Sequence, residues 1–213
     1  MNNTLTYTLI TDGSSDSALR HIIGWLLDDL YPQLPHEGVF ADFRNIKNPP
    51  PTGNVAARVR AAHAYYPCHI LFYHRDAEQK SDNIIELRKT EILSTLNHTE
   101  SIVCIVPIVM MEAWLLIDEA AIKKAAGNRN NKSNLNLPNL RNIENHPNPK
   151  TTLHELLKTA SGLRGRNLKK FNADPAVHLV AEYISDFSPL RALKAFQVFE
   201  QDLRNAVAQF LKS

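Results

Sequence analysis

Three short clusters of the 213-residue chain carry the side chains most capable of chemistry. The first is Asp12-Gly13-Ser14-Ser15-Asp16, the second His74-Arg75-Asp76-Ala77-Glu78, and the third Glu112 at the head of Glu112-Ala113-Trp114-Leu115-Leu116-Ile117-Asp118. Carboxylates brought together repel one another and call for a cation between them. Hard oxygen donors of this kind suit Mg²⁺ or Mn²⁺, which keep several waters and bridge to substrate phosphates. Asp12, Asp16, Asp76, Glu78 and Glu112 are therefore the candidate metal ligands. Asp12, Asp76 and Glu112 are the candidate catalytic carboxylates, with His74 as a candidate proton carrier. Lys150 and the basic run Arg164, Arg166, Lys169 and Lys170 are candidate phosphate contacts. Each choice has a plainer alternative: Asp12 and Asp16 as caps of the following helix, Asp76 and Glu78 as solvated loop charges, Glu112 as a charge at a helix start. His74 has the alternative of a surface histidine at a strand end, Asp118 that of an exposed partner of lysines, and the basic run that of a solvated loop. No Walker loop, Rossmann glycine fingerprint or Gly-x-Ser-x-Gly elbow accompanies these clusters.

Each acidic cluster follows an apolar, β-rich run, and that sets the elements that must position it. Residues 5–11 (LTYTLIT), 68–73 (CHILFY) and 101–107 (SIVCIVP) read as strands, with another at 39–44. Between them, Leu19, Ile22, Ile23, Leu26 and Leu30 repeat at helical spacing. Helices are also expected over 54–66, 82–96 and 112–126, and a loop over 46–54, which contains Pro49-Pro50-Pro51. Strands alternating with helices predict right-handed crossovers and a parallel α/β sheet of about four strands covered on both faces. In such a sheet ligands bind beyond the carboxyl ends of the strands, where all three clusters fall.

After residue 126 the composition changes. Residues 127–150 hold nine asparagines and three prolines, which predicts an irregular loop or mobile lid near the acidic site. Helical signals return over 151–213. Thr152-Leu153-His154-Glu155 fits a capping box, and Ser188-Pro189 fits a helix start. Leu190, Leu193, Phe196, Phe199, Leu203, Val207 and Phe210 form one apolar stripe. The organisation expected is an α/β domain at 1–126, the Asn-rich segment, and a helical C-terminal part packed on that domain.

At 44% hydrophobic and 22% charged residues the chain has globular composition, which excludes disordered, collagenous and disulfide-stapled classes. No apolar run approaches the length needed to cross a bilayer. The first residues lack the basic start and apolar segment of a leader. Cys68 and Cys104 lie in apolar runs, as reduced thiols in a cytoplasmic protein would. Net charge is +2, but residues 1–126 carry −4 and residues 127–213 carry +6. That asymmetry suits metal chemistry in the first part and polyanion contact in the second.

Taken together, these positions resemble the TOPRIM superfamily, the metal-binding α/β domain of topoisomerases, primases and OLD-type nucleases. Asp12-Gly13-x-Ser15-Asp16 resembles its acidic turn after strand one, with Asp12 where the superfamily has Glu. His74-x-Asp76-x-Glu78 resembles its Asp-x-Asp region, with His74 in place of the first Asp, or with Asp76 and Glu78 as the pair shifted by two. Glu112-x-Trp114-Leu115-Leu116-x-Asp118, Asn148-Pro149-Lys150 and Ser185–Phe199 are similar to an uncharacterised TOPRIM-like bacterial family. The resemblance implies a Mg²⁺- or Mn²⁺-dependent nuclease or related phosphoryl-transfer enzyme acting on nucleic acid, in a phage-defence or mobile-element setting. It equally implies an alternative, a catalytically degenerate binding or regulatory subunit working with an ATPase partner.

Overall fold

The structure, a computed structural model, describes residues 4–13, 15–79, 81, 83–95 and 101–212. Four strands, β1 (Leu5–Thr11), β2 (His36–Phe40), β3 (Ile70–His74) and β4 (Ile102–Ile105), alternate with α1 (Leu19–Leu30), α2 (Val55–Tyr65) and α3 (Ile84–Leu93). They form one wholly parallel sheet in the order β2-β1-β3-β4. The chain therefore steps from β1 to one side and returns past it to β3, which makes the carboxyl ends of β1 and β3 the topological switch point. The registers pair Thr11 with His74 and His74 with Ile105, so these strands end level with one another.

Burial on both faces explains the unbroken apolar run of β3, all five of whose residues are buried. Side chains alternate between the faces. Phe72 meets Phe199 of the C-terminal helix on one face. On the other, the Thr8 hydroxyl donates to the Tyr66 carbonyl at the end of α2. Helices α4 (Glu119–Ala125), α5 (Pro149–Ser161), α6 (Gly165–Lys170), α7 (Asp174–Tyr183) and α8 (Lys194–Phe210) complete the chain. The apolar stripe of α8 buries Phe196, Phe199, Leu203 and Val207 in the same core as the sheet. Among the described residues no helix is long and apolar enough to cross a membrane.

Several boundaries differ from the sequence reading. The second strand lies at His36–Phe40, earlier than expected, and Phe43–Asn45 forms a 3-10 turn capped by Asp42. The expected helix at 112–126 is split into a 3-10 turn at Met111–Leu115 and α4. Asp118 caps α4, its carboxylate accepting from the Ala121 amide at 3.0 Å, so its role is backbone satisfaction instead of pairing with lysine. Helix α5 starts at Pro149 with Asn148 as its N-cap residue, ahead of the expected capping box. Thr152 lies inside it, its hydroxyl bonded to His146 Nε2 at 2.6 Å. Ser188-Pro189 opens a 3-10 turn at Ser188–Ala192 before α8 begins. The helix expected over 82–96 is seen as α3; Asp82 and Leu96 lie outside the described residues.

The Asn-rich stretch is irregular apart from a 3-10 turn at Leu140–Asn145, and it is tied down. The Asn128 and Asn131 amides donate to the carbonyls of Ser161 at 3.1 Å and Ala160 at 2.7 Å, satisfying the end of α5. Gly162 closes that helix at φ 67°, where a Cβ would stand 2.9 Å from Asn128 Nδ2. Leu135 and Ile143 are buried in the core.

Candidate active site at the strand ends

A cavity of about 310 Å³ opens at the carboxyl ends of β1 and β3. Asp12, Asp16, His74, Arg75, Asp76, Glu78, Glu112 and Lys150 all line it. All five carboxylates expected from the sequence are thus on one cavity, together with His74 and Lys150. Arg164, Arg166, Lys169 and Lys170 are not on it. They are exposed on and beside α6, beyond the C-terminal end of α5.

The local geometry follows from the strands. Alternation sends the His74 side chain to the face of Phe72, under the turn that begins at Ser15, where it is almost wholly buried. Its Nε2 lies 3.1 Å from Asp76 Oδ1, and its Nδ1 lies 3.3 Å from Asp16 Oδ2. The second contact is an ion pair off the line of a good hydrogen bond. Burial alone would lower the pKa of His74, but the two carboxylates outweigh it and push it up to about 10. His74 is therefore a fixed imidazolium near neutral pH, a poor shuttle and a good internal cation.

Asp16 also accepts from the Gly13 amide at 3.1 Å, which shapes the acidic turn. Asp76 Oδ1 accepts from the Met111 amide at 2.9 Å, so one carboxylate joins the end of β3 to the 3-10 turn bearing Glu112. Backbone pairing continues past the strands, from the Arg75 amide to Ile105, Ala77 to Pro107 and Glu78 to Val109. Glu78 and Val109 adopt left-handed backbone, φ 61° and 68°, where a β-branched residue is strained.

The carboxylates are unequal. Asp12 and Glu112 have pKa values raised chiefly by burial, while nearby Arg58, Arg75 and His74 at Asp12, and Lys150 at Glu112, oppose the rise. Arg75 Nε stands 3.8 Å from Asp12, and Lys150 Nζ stands 3.9 Å from Glu112. Five carboxylates face three cations, an excess of two negative charges if all are ionised. Asp16 is committed to His74 and the backbone, and most of the Glu78 side chain is exposed to solvent. The oxygens most free to serve a hard cation belong to Asp12, Asp76 and Glu112. Among the described residues, no three His, Cys, Asp or Glu side chains stand close enough to hold an ion without rearrangement.

The Glu112–Asp118 motif divides its labour. Glu112 faces the cavity. Trp114 is fully buried, 5.4 Å from the Phe196 ring and 6.3 Å from that of Phe199, and Leu115 and Leu116 join it. Asp118 caps α4. Two site residues escaped the sequence reading. Arg75 follows β3 directly and was legible by position. Arg58 sits at the i+3 place of the Val55, Val59, Ala62 stripe of α2, an arginine on a buried face. Compared with known proteins, the chain matches no family model, no curated protein and no solved structure.

Proposed function

We propose that this protein is a divalent-metal-dependent phosphodiester hydrolase acting on nucleic acid. One observation carries the reading: five carboxylates line one cavity, against three basic side chains, at the switch point of a parallel sheet. Asp12, Asp76 and Glu112 would hold a Mg²⁺ or Mn²⁺ ion, their oxygen donors being of the right chemistry. The bound ion would supply Lewis-acid activation of a phosphate oxygen and of water. His74 stands against Asp76 at 3.1 Å and Asp16 at 3.3 Å and so orients both carboxylates. Burial raises the Asp12 and Glu112 carboxyls, and an ion held there would favour their ionised forms. Arg75 and Lys150 would meet the phosphate oxygens. The resemblance to TOPRIM domains supports the same chemistry. The test is Mn²⁺-dependent cleavage of a nucleic-acid substrate by wild type, together with its loss in Asp76→Asn.

The alternative is a regulatory or binding subunit that acts with an ATPase partner. It is favoured by His74, which already places a permanent cation between Asp16 and Asp76. Titration with Mn²⁺ separates the two: the hydrolase binds the ion with an affinity that falls in Asp76→Asn, whereas the regulatory subunit shows no such dependence.

A further inference from the structure

A second cavity of about 270 Å³ lies beside the first, at the ends of β1 and β2, and shares Asp12 and Gly13 with it. Its apolar wall is made by Phe40, Phe43, Pro49 and Pro50. The prolines are stiff, so this wall is largely preformed. Its polar feature is Arg58, only 6% exposed. The guanidinium donates to the carbonyls of Thr11 and Thr52 and lies 5.2 Å from the Phe43 ring centre. Its Nε has no hydrogen-bond acceptor, and no carboxylate is within ion-pair distance among the described residues. Asp12 interacts with Arg58 only at longer range. Asp42, the other acid on the cavity, is engaged by Arg44 through two bonds of 2.8 and 2.7 Å. A buried cation held by two neutral carbonyls is incompletely compensated. What it lacks is an anion, and what the wall beside it lacks is a flat apolar group.

We infer that this cavity receives one unpaired nucleotide, its base against the Phe40–Pro50 wall and its phosphate at Arg58. The inference rests on the hydrolase reading for its placement: a strand seated here leads across Asp12 into the neighbouring carboxylate site. The substrate class is then single-stranded nucleic acid, because a base stacked and paired within a duplex cannot leave its stack to enter a cavity of about 270 Å³. Stacking of this kind tolerates every base, so affinity is expected to depend little on sequence.

Binding without divalent metal tests this apart from cleavage. A fluorescein-labelled ten-nucleotide oligothymidine and a ten-base-pair duplex are titrated with the full chain, with fluorescence anisotropy as the readout. Wild type should prefer the single strand by about tenfold or more, as stacking of one base provides. Thr52→Trp, at the exposed rim, should fill the mouth and lower single-strand affinity about tenfold with duplex binding and Tm unchanged. Arg58→Gln should act in the same direction. Equal affinity of wild type for both probes, or wild-type single-strand binding by folded Thr52→Trp, overturns the inference. If Thr52→Trp binds normally while Asp76→Asn loses cleavage, the hydrolase reading survives and this one does not. If Thr52→Trp loses binding while Asp76→Asn still cleaves, the reverse holds.

Discussion

The Oδ1 atom of Asp76 accepts from the His74 imidazole and from the Met111 amide, and so couples the charge of the site to the placement of Glu112. Asp76→Asn keeps an oxygen for the Met111 amide but removes one negative charge. Cleavage with Mn²⁺ should fall by about 100-fold or more, because several kcal/mol of charge stabilisation depends on the ion. Nucleic-acid affinity should stay near that of wild type. Undiminished cleavage in this variant would point to a contaminant and to the regulatory reading. Glu78 makes a contrasting case. Its left-handed backbone costs a non-glycine residue roughly 1 kcal/mol, while its exposed side chain reaches Arg88 only at 4.0 Å. Glu78→Gly should raise Tm by about 2–4 °C, the shift expected of ~1 kcal/mol in a chain of this size. A lower Tm on thermal melting would show that the strain argument is wrong.

Among the elements, α4 and α8 depend on polar anchors that lie away from the cavity. Asp118→Ala removes the cap of α4 and should cost about 1 kcal/mol, lowering Tm by about 2–4 °C without changing Mn²⁺ affinity. A fall in Mn²⁺ affinity would instead assign Asp118 to the site. On α8, Glu200 is bonded by Arg191 at 2.8 Å and Arg204 at 2.6 Å, and Arg191 reaches on to Asp29 of α1 at 2.6 Å. Burial raises the pKa of Glu200, but the two guanidiniums outweigh it and leave the carboxyl lowered. A lowered folded pKa means stability present above the unfolded value, roughly 4.3, and lost as pH falls through the folded one. Glu200→Gln should therefore melt earlier than wild type at pH 7, by a margin that shrinks as pH falls below the unfolded value. A pH-independent difference would exclude linkage to this carboxyl.

At the scale of the whole molecule, charge is divided between the two ends of α5. Lys150 stands at its start on the cavity, and Arg164, Arg166, Lys169 and Lys170 lie beyond its end. Thirteen helical residues span about 20 Å, so the basic segment begins that far from Lys150. On the hydrolase reading, a bound nucleic acid would extend from the carboxylate cavity over this segment. The double variant Arg164→Ala, Arg166→Ala should weaken binding. It should also flatten the slope of log affinity against log salt by about 1.4–1.8, two phosphate contacts' worth. An unchanged slope would leave α6 as ordinary solvated surface.

The alternation of apolar strands and amphipathic helices made the parallel sheet legible in the sequence, because burial on two faces demands continuous apolar runs. The same logic located Asp12, Asp76 and Glu112, since residues just after such strands must share one sheet edge. Periodicity does not carry the tertiary pairings. His74 reads as a strand-end histidine until its register beside Thr11 and the turn at Asp16 enclose it and hold it charged. Asp118 reads as a surface charge until a break after Leu115 makes it the start of a new helix. Arg58 reads as an irregularity in an apolar stripe until the loop at Thr52 and the end of β1 supply its carbonyls. In each case the deciding energy is the desolvation of a polar group. That energy depends on which distant atoms surround the group in three dimensions, and neighbouring residues in the sequence do not contain it.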